Sequence, residues 1–188
     1  ISVPLGLLTS IYLVEYGRGK LAKTITFLVD VMTGIPSSVA GLFAYAAFAL
    51  FLGPGVRMGI IGAVSLSVLM IPVVVRSSEE MLRLVPNELR EASYALGVAK
   101  WLTIMKVVLP TSIAGITTGI MLSISRVIGE TAPLLITAGF TASMNYNLFN
   151  DRMQSLPVYV YTQFANQGNP AFAFFERAWA AALVLILI

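Results

Sequence analysis

Charges divide this chain into long uncharged runs. There are 26 residues from Val31 to Val56, 18 between Arg57 and Arg76, 19 between Lys106 and Arg126, and 20 between Glu130 and Asp151. About 20 apolar residues cross a bilayer as a helix. The pattern predicts helices at roughly 1–16, 32–52, 57–77, 107–138 and 171–188. None of these runs alternates with period two, which argues against a strand barrel. The expected fold class is all-α, a polytopic membrane helical bundle with five visible spans in a single domain, 1–188. The fourth run exceeds one span, so Pro133 and Gly139 are expected to break or bend it. The opening run ends at Glu15 and is followed by basic residues, the reverse of a signal peptide. The last run, Ala178 to Ile188, has eleven residues. As helix it reaches only about 16 Å of a roughly 30 Å hydrocarbon core. Both ends are therefore expected to be truncated.

Composition agrees with a membrane protein. The chain is 57% hydrophobic and 11% charged, with a mean hydropathy of +0.86, whereas soluble domains carry about 25% charged residues. Histidine and cysteine are absent, which excludes thiol chemistry, disulfides, Cys/His zinc sites and histidine acid–base catalysis. The nearest approach to a nucleotide-binding loop, Gly19-Lys20, has Val14 and Leu21 where glycine and Ser/Thr belong. Any ATP is expected on a partner, with no cofactor in this chain.

The twelve basic residues set the orientation. Arg18, Lys20 and Lys23 share one connection, and Arg76, Arg83, Arg90, Lys100 and Lys106 another; Arg57, Arg152 and Arg177 fall on the other side. By the positive-inside rule the 17–31 and 78–106 connections are cytoplasmic and 140–170 is external. The external segment is rich in Asn and Gln and reads as a solvated loop with an interfacial helix at Leu156–Ala165. Two stripes of small residues, Gly55/Gly59/Ala63/Ser67 and Thr111/Gly115/Gly119/Ser123, suit close helix approach, either within the chain or to another subunit.

The 79–106 connection carries a helix–glycine–helix pattern. Asn87 is expected to cap a helix with Glu88 and Glu91 in its first turn, and Gly97 to end it in the left-handed conformation. Leu89, Ala92 and Leu96 share one face. A second short helix with Trp101, Ile104, Met105 and Val108 runs up to Pro110. Such apolar residues suit either an amphipathic helix lying on the membrane or a plug for a groove on a soluble partner.

The spacing Glu91-Ala92-Ser93, three residues, Gly97, nine residues, Val107-Val108-Leu109-Pro110 resembles the EAA motif of ABC importer permeases, with Ser93 and Val107 departing mildly from it. The resemblance implies the MetI-like ABC permease fold with a cytoplasmic coupling helix. Glu88, Leu89, Glu91, Ala92, Leu96 and Gly97 would then dock on an ATPase.

Arg126 and Glu130 lie four apart in an apolar run and are expected on one helix face. If the helix enters at Val107, Arg126 is about 28 Å along it. A charge at mid-bilayer costs about 2.5–3.5 kcal/mol on insertion scales. The two form either an internal ion pair or a cationic anion site gated by the carboxylate. The string Arg126-Val127-Ile128-Gly129-Glu130-Thr131-Ala132-Pro133-Leu134-Leu135 resembles the PstA-like permeases of phosphate ABC importers. So do Pro4-Leu5-Gly6, Gly34-Ile35-Pro36-Ser37, Gly41-Leu42-Phe43 and Ala178-Trp179-Ala180-Ala181-Ala182-Leu183. That resemblance implies a phosphate pathway with Arg126 and Glu130; Thr131, which follows them directly, is expected to add a hydroxyl donor. It also implies a six-span subunit in a bacterial or archaeal cytoplasmic membrane. Its partners would be a homologous permease, two ATP-binding subunits holding ATP and Mg, and an external phosphate-binding protein, with no nucleic acid. A permease for sulfate or molybdate, or an ATP-independent channel, is the alternative.

Overall fold

The computed structural model describes residues 1–168 and 170–188. Among these it is helical with no strand, so the all-α expectation holds. The helices are α1 (Ser2–Ile11), prolonged by a π turn at Tyr12–Tyr16, α2 (Lys20–Thr33), α3 (Ser37–Leu52), α4 (Gly59–Arg83), α5 (Asn87–Ala95), α6 (Lys100–Thr103), α7 (Leu109–Ile128), α8 (Ala132–Thr137), α9 (Leu156–Ala165) and α10 (Ala171–Leu187). Two of them are long and apolar enough to cross a membrane: Gly59–Arg83, and Lys100–Ile128 taken as one helix. Lys20–Thr33 and Ser37–Leu52 would make a third if counted as one broken span.

Several sequence expectations need correction. The stretch read as the 17–31 connection is mostly the helix α2. Its charges, Lys20, Lys23 and Asp30, sit on a helix that buries Val29. The third run continues to Arg83 as α4, passing through the buried Pro72. The helix at Trp101 does not stop at Pro110. A π turn over Ile104–Val108 joins α6 to α7, and that wider turn accommodates a proline whose ring and missing N–H would disrupt regular i→i−4 bonding. A helix with the expected bounds, α9, spans Leu156–Ala165.

The chain forms two compact units, Ile1–Gly34 with Met70–Ile124, and Ile35–Leu69 with Ser125–Ile188. In the first, Leu82, Val85, Val108 and Ile116 form a buried cluster, backed by Leu7, Ile11 and Val14. A second cluster joins Leu13, Val29 and Val75. Small residues permit this packing. A Cβ on Gly6 would lie 2.6 Å from Val74 Cγ1, and one on Gly119 would lie 2.6 Å from Ser77 Oγ. Gly115 faces Met81 in the same way. Gly115 and Gly119 of the 111–123 stripe are thus packed within the chain, while Thr111 is exposed.

In the second unit α8 packs on α3, where a Cβ on Gly41 would lie 2.7 Å from the Pro133 Cα. Leu134, Ala138 and Val158 form its buried cluster. Backbone bonds tie the loops to it: the Met58 N–H donates to the Thr137 carbonyl at 3.2 Å, Ile60 to Leu148 at 2.9 Å and Met153 to Ala138 at 3.2 Å. The asparagines of the 141–154 loop close their own turns. Asn145 Oδ1 accepts from the Asn147 N–H, Asn147 Oδ1 accepts from the Phe149 N–H, and Asn145 Nδ2 donates to the carbonyls of Asn150 and Arg152.

Candidate functional site

Two groups of residues carry the sequence-derived expectations, one in each unit.

In the first unit, α5 begins after Pro86, whose extended backbone sets the helix start. Asn87 is therefore already the first helical residue and makes no capping bond, contrary to expectation. Its Oδ1 instead accepts from Arg90 Nη1 at 3.3 Å. The other end behaves as expected. Gly97 has φ +76°, its N–H donates to the Tyr94 carbonyl at 2.9 Å, and the Val98 N–H donates to the Ser93 carbonyl at 3.2 Å. This paired closure is the Schellman arrangement that glycine favours.

Glu88, Leu89, Glu91, Ala92, Leu96 and Gly97 are all exposed. Leu96 is 83% exposed, and Leu84, Trp101 and Met105 add apolar surface nearby in sequence. The residues between them hold the helix in place. Ser93 is buried, and its hydroxyl meets the Thr103 hydroxyl of α6 at 2.9 Å. That contact gives the Ser93 departure from the EAA pattern a structural role.

Sequence reasoning missed the main anchor of α5. Arg90 Nε donates to Glu15 Oε1 at 3.0 Å, and its Nη2 donates to the Leu82 carbonyl at 2.9 Å. Lys100 Nζ donates to the Glu15 carbonyl and sits 4.7 Å from the Tyr16 ring centroid. The π turn that prolongs α1 carries both Glu15 and Tyr16. The available signal was a carboxylate at the end of an apolar run; a partner 75 positions away could not be assigned from spacing.

In the second unit the geometry at Arg126 differs from expectation. α7 ends at Ile128, Gly129 turns, and Glu130 and Thr131 lie outside any helix. Arg126 and Glu130 therefore do not share a helix face, and no ion pair joins them among the described residues. The break comes four residues before Pro133, which is buried in the first turn of α8. Gly139, at φ +74°, closes the far end of α8, its N–H donating to the Leu134 carbonyl at 3.0 Å. The Glu130 N–H donates to the Val127 carbonyl at 3.2 Å, and the Thr131 carbonyl accepts from Leu135 at 3.0 Å. Thr131 occupies the N-cap position of α8, but its hydroxyl makes no capping bond. Arg126 is exposed, and Glu130 and Thr131 are half-buried. An arginine fork with free donors suits an oxyanion.

An all-helical chain with long apolar helices and an exposed amphipathic helix closed by a Schellman glycine has the makings of a membrane permease. The family model for binding-protein-dependent transport system inner membrane components matches residues 2–188. The chain belongs to that family, and it is a membrane-embedded, multi-pass protein of the ABC permease class. It is 52% identical over 188 residues to the phosphate transport system permease protein PstA 1 of Mycobacterium tuberculosis, covering all of this chain and 60% of the relative. It is 43% identical over 188 residues to the PstA of Pasteurella multocida, covering 65% of that protein. The chain thus spans less than two thirds of these curated relatives. In fold it is similar to the MetNI methionine ABC transporter solved in inward-facing conformations, with a TM-score of 0.71 at 21% identity over the whole chain and 80% of that structure's chain. A second crystal form of MetNI gives 0.65 at 18% identity, covering the whole chain and 85% of the other.

Proposed function

We propose that this chain is the larger part of the transmembrane subunit of an ATP-driven importer of inorganic phosphate. The relatives' names, phosphate transport system permease over the full length of this chain, carry the substrate. Arg126, exposed at the end of α7 and without an ion-pair partner among the described residues, supports the site. In this reading Arg126 meets phosphate with paired N–H donors, Thr131 offers a hydroxyl, and Glu130 moderates binding so that the ion is released. One arginine with a carboxylate nearby in sequence gives passage without trapping.

The exposed surface of α5, with Leu89, Ala92 and Leu96, docks on a partner ATPase, and ATP and Mg are held there. A homologous permease, a second ATPase and an external phosphate-binding protein complete the assembly in the cytoplasmic membrane. The basic residues of the 78–106 stretch put α5 on the cytoplasmic side. ATP binding and hydrolysis move α5, and the spans alternate between outward and inward access.

The experiment is labelled phosphate uptake by cells carrying the full-length subunit and its partners, with sulfate and molybdate as competitors. Arg126→Gln, verified in the membrane, runs alongside. ATP-dependent uptake that ignores the competitors and collapses in the variant supports the proposal. Inhibition by sulfate or molybdate, uptake without ATP, or uptake indifferent to the variant overturns it.

A further inference from the structure

A second cationic feature lies far along the chain from Arg126. A cavity of about 480 Å³ in the first unit is lined by Glu15, Arg18, Arg83, Arg90, Tyr94 and Lys100, among others. Four cations there face a single carboxylate, that of Glu15. Glu15 is already engaged: its side chain takes Arg90 and its backbone carbonyl takes Lys100. Arg83 binds Glu79 through Nε and Nη2, but that carboxylate also serves Arg76. Arg83 keeps donors to spare, since a guanidinium carries five. Arg18 is exposed and has no hydrogen-bond or ion-pair partner among the described residues.

The cavity's surplus is therefore positive, with uncommitted arginine donors and room for more than a simple ion. We propose that it binds a phosphate group between Arg18 and Arg83, supplied either by an anionic lipid headgroup or by free inorganic phosphate. Basic pockets beside membrane helices suit such headgroups, and the arginine fork matches a phosphoryl group from either source. Its place relative to α5 matters. Asn87, Arg90 and Tyr94 recur at i, i+3 and i+7 and line the cavity, while Leu89, Ala92 and Leu96 lie on the opposite side of the helix. A bound phosphate group thus sits behind the face proposed to dock and leaves that face open.

The test uses the full-length permease assembled with its partner subunits, in nanodiscs and without nucleotide. Equilibrium binding of radiolabelled inorganic phosphate is read in phosphatidylcholine discs. Retention of phosphatidylglycerol is read by native mass spectrometry from mixed discs. The variants are Arg18→Gln/Arg83→Gln and, for the transport site, Arg126→Gln. We expect one of the two probes to bind Arg126→Gln, which lacks the transport site, as it does the wild type, and to be lost at least tenfold when Arg18→Gln/Arg83→Gln is added to Arg126→Gln. Phosphate binding identifies the free ion as the source, and phosphatidylglycerol retention identifies the lipid. Neither probe binding Arg126→Gln, or no loss of the bound probe on adding Arg18→Gln/Arg83→Gln, overturns the proposal. If the double substitution prevents assembly, Arg18→Gln alone added to Arg126→Gln decides in the same way, because Arg18 has no hydrogen-bond or ion-pair partner among the described residues. A failure of the Arg126 reading leaves this result untouched.

Discussion

Arg90 and Glu15, 75 residues apart, meet at 3.0 Å with side chains only 12% and 5% exposed. The pair joins α5 to the π turn that prolongs α1, so a displacement of α5 pulls on the first helix. Removing one member of a buried pair strands the other charge, at about 3–5 kcal/mol, whereas replacing both with apolar groups is close to neutral. Arg90→Met should therefore lower the thermal stability of the solubilised protein markedly, and Arg90→Met/Glu15→Leu should recover most of the loss. A double-mutant cycle on melting checks this, and additive effects would mean that the pair carries no coupling.

Gly97 isolates backbone strain from packing. At φ +76° a Cβ would meet nothing within 4 Å. Gly97→Ala should cost about 1–2 kcal/mol through the left-handed conformation alone, and Gly97→Asn less, because asparagine tolerates that region. Leu96 and the exposed residues before it would shift with the altered closure. ATPase activity stimulated by transport, compared with basal ATPase activity, should fall in the order wild type, Asn, Ala. Equal coupling in all three would show that the helix end need not be held.

The sequence disclosed local features and hid remote ones. Pro86 and Gly97 bracket α5 because proline and glycine act on their own neighbours. The 111–123 stripe was visible, but its partners, Met81 and Ser77, were not. α2 hides among the connections because Lys20 and Lys23 read as part of a basic connection and Asp30 as the edge of an uncharged run. Asp30 instead pairs with Arg76, a charge that bounds another run. The assumption that Arg126 and Glu130 share a face failed at Gly129. A glycine three residues after the arginine, followed by Thr131 and Pro133, was a readable stop-and-restart signal; the long apolar run outweighed it. Arg90 and Glu15 could not have been paired by any spacing rule.

Glycines at helix contacts should differ in tolerance according to what they face. A Cβ on Gly41 would meet the backbone of Pro133, which cannot swing aside, whereas a Cβ on Gly115 would meet the flexible side chain of Met81. Overpacking typically costs about 1–3 kcal/mol. Gly41→Ala should fall in that range and displace α8, while Gly115→Ala should cost less as Met81 changes rotamer. Heating the two variants in detergent and following the monodisperse fraction by size exclusion should give a lower midpoint for Gly41→Ala. The reverse order would contradict the contacts described for α3 and α8.

Arg126 separates transport from stability. It is exposed in the last turn of α7, and no ion pair holds it to Glu130. Removing the guanidinium breaks no described contact, so Arg126→Gln should leave the melting midpoint within the range usual for surface substitutions, about ±0.5 kcal/mol. Phosphate uptake should nevertheless drop more than tenfold, since a neutral amide offers neither charge nor fork. Arg126→Lys restores the charge without the planar pair of donors and should give intermediate uptake. Glu130→Gln should change uptake with the opposite emphasis, slowing release of phosphate more than its entry, because the competing carboxylate is gone. Melting of the double variant should equal the sum of the singles, as expected for residues without a shared contact. A large coupling energy in that cycle would mean that the two side chains meet in the working assembly, and the gating role given to Glu130 would then have to be replaced by an ion pair that only neutralises both.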